Sequence, residues 1–63
     1  MSTLTPKDCL YIEDLVNASY LLCKEIEYAK QIAEDEKVID TLTNAYDQIK
    51  QIATDSCDIL GGN

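Results

Sequence analysis

The chain has 63 residues, of which 12 are acidic, five are lysine and none is histidine, so its formal net charge is −7. This length allows one domain, and a core of this size rarely supplies more than about 3 to 5 kcal/mol. The charge disfavours direct binding to nucleic-acid phosphates or to anionic membrane surfaces, and no apolar run approaches the roughly 18 to 20 residues that a membrane span needs.

The first predicted helix begins in the stretch LTPKD. Thr5 is a suitable N-cap, Pro6 suits the first helical position because it has no N–H to leave unpaired, and Asp8 supplies the acid of a capping box. Apolar residues then recur at three- and four-residue steps, which predicts a helix over about residues 6–33. The stripe consists of Tyr11, Leu15, Ala18, Leu22, Ile26, Ala29 and Ala33, and it is widened by Ile12, Val16, Ser19 and Cys23.

A second, smaller apolar strip lies on the outside of this helix. At about 100° per residue, Leu10, Leu21 and Tyr28 fall within about 20° of one another and away from the main stripe. Single exposed apolar residues are common, so these three can be ordinary surface residues. The alternative is a second contact that pairs dimers or binds a partner.

The segment AEDEK at residues 33–37 has no glycine or proline, so one continuous helix must be weighed against a turn. In a continuous helix the second apolar stripe would lie roughly 150° around from the first. A turn at about residues 34–36 lets the two stripes meet, and it places acids, with Asp35 as N-cap, at the positive end of the second helix. We therefore predict an antiparallel hairpin.

The second predicted helix covers about residues 37–60 and has a heptad-like apolar spacing. Gly61 and Gly62 end it in the usual C-terminal manner. Its stripe consists of Val38, Leu42, Ala45, Ile49, Ile52, Ser56 and Ile59.

Two such helices can bury only a seam between them. We therefore predict one all-α domain over residues 1–63, an antiparallel two-helix hairpin that associates into a four-helix bundle. Self-association, as a homodimer or a larger assembly, is the expected supplement to so small a core. The predicted oligomer interface consists of Leu15, Leu22, Ile26, Leu42, Ile49 and Ile52, and the second contact would use Leu10, Leu21 and Tyr28.

The remaining chemistry is sparse. An odd number of cysteines without a recognisable signal peptide leads us to expect reduced thiols, with Cys23 and Cys57 packed as small apolar side chains. With no histidine and with cysteines 14 and 34 residues apart, the chain lacks the four closely spaced ligands of a usual zinc site. Without histidine, a di-metal bundle site of the usual form and a histidine-activated nucleophile cannot be built either. We expect no metal, no cofactor and no enzyme activity.

Over residues 11–38 an aromatic residue precedes a Glu-Asp pair, followed by Asn, a Leu-rich turn, Lys and a Tyr-Ala pair. The matching residues are Tyr11, Glu13, Asp14, Asn17, Leu21, Leu22, Lys24, Tyr28 and Ala29, with Asp35 at the start of the second helix. This pattern resembles the short coat F-like proteins of spore-forming clostridia, which are ferritin-like helical hairpins. The second helix matches only in its apolar spacing. The resemblance implies a small structural or assembly protein, cytoplasmic or associated with the spore or its coat.

Two functions follow from these patterns. The first is a structural protein that acts through homo-oligomerisation. The alternative is an adaptor or inhibitor that presents its acidic face to the basic surface of an unidentified protein, as a nucleic-acid mimic would. Acids grouped at phosphate-like spacing would favour the alternative, and acids scattered around the bundle would favour the first.

Overall fold

The computed structural model describes residues 4–61, and it consists of two antiparallel helices joined by a short turn. Helix α1 comprises Pro6–Ile32 and helix α2 comprises Glu36–Leu60, with no strand within the described residues. The Cα atoms extend over 46 × 17 × 12 Å, the shape of a rod two helices wide. The predicted all-α hairpin is confirmed, and the single continuous helix does not form.

The start of α1 is a capping box, as predicted. The Asp8 N–H donates to Thr5 Oγ1 at 3.0 Å, and the Thr5 N–H donates to Asp8 Oδ2 at 3.1 Å. Pro6 occupies the first turn, where its missing N–H costs nothing. The first turn of α1 is therefore stabilised by its own side chains before any tertiary contact forms.

The turn between the helices needs no glycine. Ala33 ends α1 with an extended backbone, φ −70° and ψ 140°, while its N–H still donates to Ala29 O. Asp35 is the N-cap of α2, as predicted, and its Oδ1 accepts from the N–H groups of Lys37 at 2.8 Å and Val38 at 3.2 Å. Asp35 is also extended, with φ −81° and ψ 127°. Since any residue adopts extended backbone, neither Ala33 nor Asp35 needs to be glycine.

Gly61 caps the end of α2, but it does so in a right-handed conformation with φ −74°. The conformational freedom of glycine is therefore not used at this position. Gly62 lies outside the described residues.

The contact between the helices uses a different side of α1 from the one that the main stripe predicts. All four residues that widen that stripe become buried or half-buried, whereas Tyr11, Leu15 and Leu22 of the stripe itself stay exposed. Ile26 is the one apolar side chain classed as buried within residues 4–61, at 9% exposure. The α1 contact residues include Ile12, Val16, Ser19, Cys23 and Ile26, and those of α2 include Ile39, Leu42, Ile49, Ala53, Ser56 and Leu60.

Two serines are the most enclosed residues of this contact within residues 4–61. Ser19 and Ser56 are 3% and 4% exposed, and the antiparallel register places them nearly opposite each other. Their hydroxyls donate to the carbonyls of Leu15 at 2.8 Å and Ile52 at 2.7 Å, so burial leaves no polar group unpaired. Serine is small, so these two positions add little bulk between the helices.

The cysteines are free thiols. Cys23 is half-buried between the helices, but Cys57 is exposed, so the prediction that Cys57 is packed is wrong. Cys57 follows the buried Ser56 and therefore lies about 100° around α2 from it, towards the edge of the contact with α1.

Candidate interaction surfaces

Exposed apolar residues of both helices lie along one flank of the hairpin. We call it the apolar face, and its residues are Tyr11, Leu15, Leu22, Val38, Ile52 and Ile59. Their exposed fractions range from 39% for Ile59 to 63% for Tyr11. A face of this kind, extending along both helices, is typical of an interaction site rather than of scattered surface residues.

Register and helix rotation place these residues on the same side. The hydrogen bond from Tyr46 Oη to Glu27 Oε1, at 3.0 Å, fixes which levels of α1 and α2 face each other. Leu22 is then nearly opposite Ile52, and Leu15 is nearly opposite Ile59. At about 100° per residue, all four lie on the flank away from that hydrogen bond.

The six residues predicted as the oligomer interface divide into two sets. Ile26, Leu42 and Ile49 lie in the contact between α1 and α2, so the hairpin itself covers them at least partly. Leu15, Leu22 and Ile52 belong to the apolar face. Sequence reasoning did not assign Val38 and Ile59 to the interface, although their place in the α2 stripe was a signal for it.

The outer strip of α1 takes no part in the contact between α1 and α2. Leu10, Leu21 and Tyr28 are 58%, 62% and 65% exposed. Ile32, at 63%, extends the strip by one turn, because it lies within about 20° of Leu21 around the helix. The exposure of the strip is observed, and its use as a contact remains a prediction.

The flank opposite the apolar face carries a groove of about 290 Å³. Its polar side chains interact with one another: the Lys24 ammonium lies 5.3 Å from the ring centroid of Tyr20, and Tyr46 donates to Glu27. The hydrogen bond to Glu27, together with the negative charge of Glu27, raises the pKa of Tyr46 above its ordinary value. The groove is also lined by Val16, Cys23 and Ala53, so this flank combines apolar lining with these polar contacts.

The acidic residues are exposed along the whole rod. Asp40, Asp47 and Asp58 share the outer face of α2, but they are separated by about 10 Å and 16 Å along the helix axis. A nucleic-acid strand carries one charge per roughly 3.4 Å. These three carboxylates are therefore spaced more widely than the charges of a nucleic-acid strand.

Comparison with family models, with curated proteins and with solved structures finds no match for this chain. The resemblance to coat F-like proteins therefore remains a prediction. Within residues 4–61, no group of three or more metal-ligating side chains is arranged to hold an ion. Neither helix combines the length and the apolar character needed to cross a bilayer within the same range.

Proposed function

We propose that this chain is a small assembly protein whose basic unit is a pair of hairpins closed on the apolar face. The observation that carries the proposal is the contrast between the two sets of apolar residues. One apolar side chain is classed as buried within the described hairpin, whereas six large ones are exposed along a single flank. Closing two such flanks produces a four-helix bundle, the usual way for paired hairpins to complete a core.

The surface area supports association. The hairpin exposes 5072 Å². A compact monomer of 7.0 kDa would expose about 4,000 Å². The excess of about 1,000 Å² is similar to the roughly 800 Å² that each partner buries in a stable interface.

The residues of the apolar face form successive layers along the hairpin, as the core residues of a four-helix bundle do. Leu22 and Ile52 form its middle layer, and Leu15 with Ile59 forms the layer towards the open end of the hairpin. Val38 contributes near the turn. Aliphatic layers of this kind interdigitate with the same layers of a second copy when two hairpins pack across a two-fold axis.

On the resemblance of residues 11–38 to coat F-like proteins, we extend the proposal to a structural role in the spore or its coat. This extension rests on the pattern of residues alone. It adds a location for the assembly and no further chemistry.

The experiment is a native mass measurement by sedimentation equilibrium on the wild type and on two matched variants. The wild type is expected at a multiple of its 7.0 kDa chain mass. Ile52→Glu places a charge on the apolar face and should yield monomers, because burial of that unpaired carboxylate would be unfavourable. Asn44→Glu adds the same charge on the polar side of α2 and should leave the mass unchanged. A wild-type protein that remains at 7.0 kDa at concentrations of about 100 μM, where a Kd of 1 μM would be saturated, would overturn the proposal.

A further inference from the structure

The outer strip of α1 has a spacing that reads the same in both directions. Leu10 and Ile32 each lie 11 residues from Leu21, and Asp14 and Tyr28 each lie seven residues from it. At about 100° per residue, the five side chains fall within about 40° of one another. The strip is thus an almost straight line along α1, centred on Leu21.

A symmetric line of this kind matches a copy of itself that runs in the opposite direction. Antiparallel pairing about a two-fold axis at Leu21 puts Leu10 opposite Ile32 of the second copy. The same register brings Tyr28 to the level of Asp14 of the second copy, where a phenol hydroxyl can donate to a carboxylate. By symmetry each of these contacts occurs twice.

We propose that the outer strip is a second homotypic contact, in which two copies of α1 pair antiparallel with Leu21 on the two-fold axis. A second copy of this chain is the occupant that fits, since it supplies the same apolar and polar spacing in reverse. The inference rests on the proposed function, because it links pairs that the apolar face has already formed. Two different self-complementary surfaces on one hairpin extend a dimer to a tetramer or to an open chain.

The strip is narrower than the apolar face, so its contact is the weaker of the two. It has four apolar side chains on a single helix, each between 58% and 65% exposed, and α2 takes no part. We therefore expect dimers at low concentration and larger species as the concentration rises.

A cross-linking experiment tests the position of the axis. In a chain with Cys9, Cys23 and Cys57 replaced by alanine, Leu21→Cys should form a disulfide-linked dimer under mild oxidation, because only a residue on the axis meets its own copy. Asn17→Cys is the control, four residues from the axis. Its two copies would lie about 12 Å apart along the helix, beyond the Cα separation of up to about 7 Å that a disulfide spans.

Charge variants at Tyr28 test the pairing with Asp14. Tyr28→Glu brings like charges together and should reduce the larger species to dimers, whereas Tyr28→Lys, which brings opposite charges together, should preserve the larger species. Both variants should keep the helicity of the wild type, since Tyr28 is outside the hairpin contact.

The outcomes separate this inference from the proposed function. A wild type that is monomeric overturns the proposed function. A wild type that is dimeric at every concentration, with no Leu21→Cys cross-link, overturns the outer-strip contact and leaves the apolar face standing. Equal loss of the larger species in both Tyr28 variants overturns the antiparallel register.

Discussion

The two helices have similar lengths, but they differ in how their apolar residues are distributed. Of the 11 large apolar residues that remain exposed within residues 4–61, α1 carries eight and α2 carries three. The three on α2 all belong to the apolar face, whereas those on α1 surround much of the helix. A helix that is apolar on most sides is usually enclosed by neighbours.

This difference assigns the helices different positions in the proposed assembly. One partner on the apolar face covers the exposed apolar residues of α2, and the polar outer side of α2 then faces water. The same partner leaves Leu10, Leu21 and Tyr28 of α1 exposed. Because of this asymmetry, we expect substitutions on α1 to affect both the fold and the assembly, according to the side on which they lie.

The largest effect on stability is expected when the same substitution is made on two different sides of α1. Ile26→Glu buries a charge at the most enclosed apolar position, and its cost should exceed the about 3 to 5 kcal/mol that so small a core supplies. Far-ultraviolet circular dichroism should then show loss of most helicity at 25 °C. Leu21→Glu makes the same change on the outer strip and should retain the wild-type spectrum. Equal unfolding of both variants would mean that the two sides of α1 do not differ.

An intermediate effect on stability is expected when the N-cap of either helix is removed. Thr5→Ala and Asp35→Ala each remove an N-cap and should lower the free energy of unfolding by about 1 kcal/mol, measured by urea denaturation at fixed protein concentration. The loss should be greater for Asp35, because its carboxylate accepts two N–H groups and because it also ends the turn. Asp35→Asn retains a capping side chain and serves as the control. A larger loss at Thr5 would contradict this ranking.

The smallest effect concerns the side-chain link between the helices. The hydrogen bond to Glu27 raises the pKa of Tyr46 from its ordinary 10.0, so the folded state favours the neutral phenol. The associated stability is fully present below pH 10, and it is lost as the pH rises through the higher pKa of the folded state. The thermal midpoint of the wild type should therefore fall more steeply above pH 10 than that of Tyr46→Phe. Parallel curves for the two proteins would show that this exposed bond contributes nothing measurable.

The sequence by itself determined the elements and their order. Thr5 and Asp35 cap the helices through atoms two or three residues away, so their effect could be predicted without knowing the rest of the fold. The change of phase between the two apolar stripes favoured a hairpin over a continuous helix, because one straight helix cannot turn both stripes towards the same side.

Only the tertiary structure decided which part of the broad α1 stripe meets α2. Leu15 and Val16 are adjacent in the sequence and both are apolar, yet Val16 is half-buried in the hairpin and Leu15 is 43% exposed. Their difference follows from the rotation of α1 about its own axis, which turns Val16 towards α2 and Leu15 towards the apolar face. The sequence of one helix shows which of its residues are apolar. How far that helix is rotated about its own axis depends on how its side chains pack against the neighbouring helix.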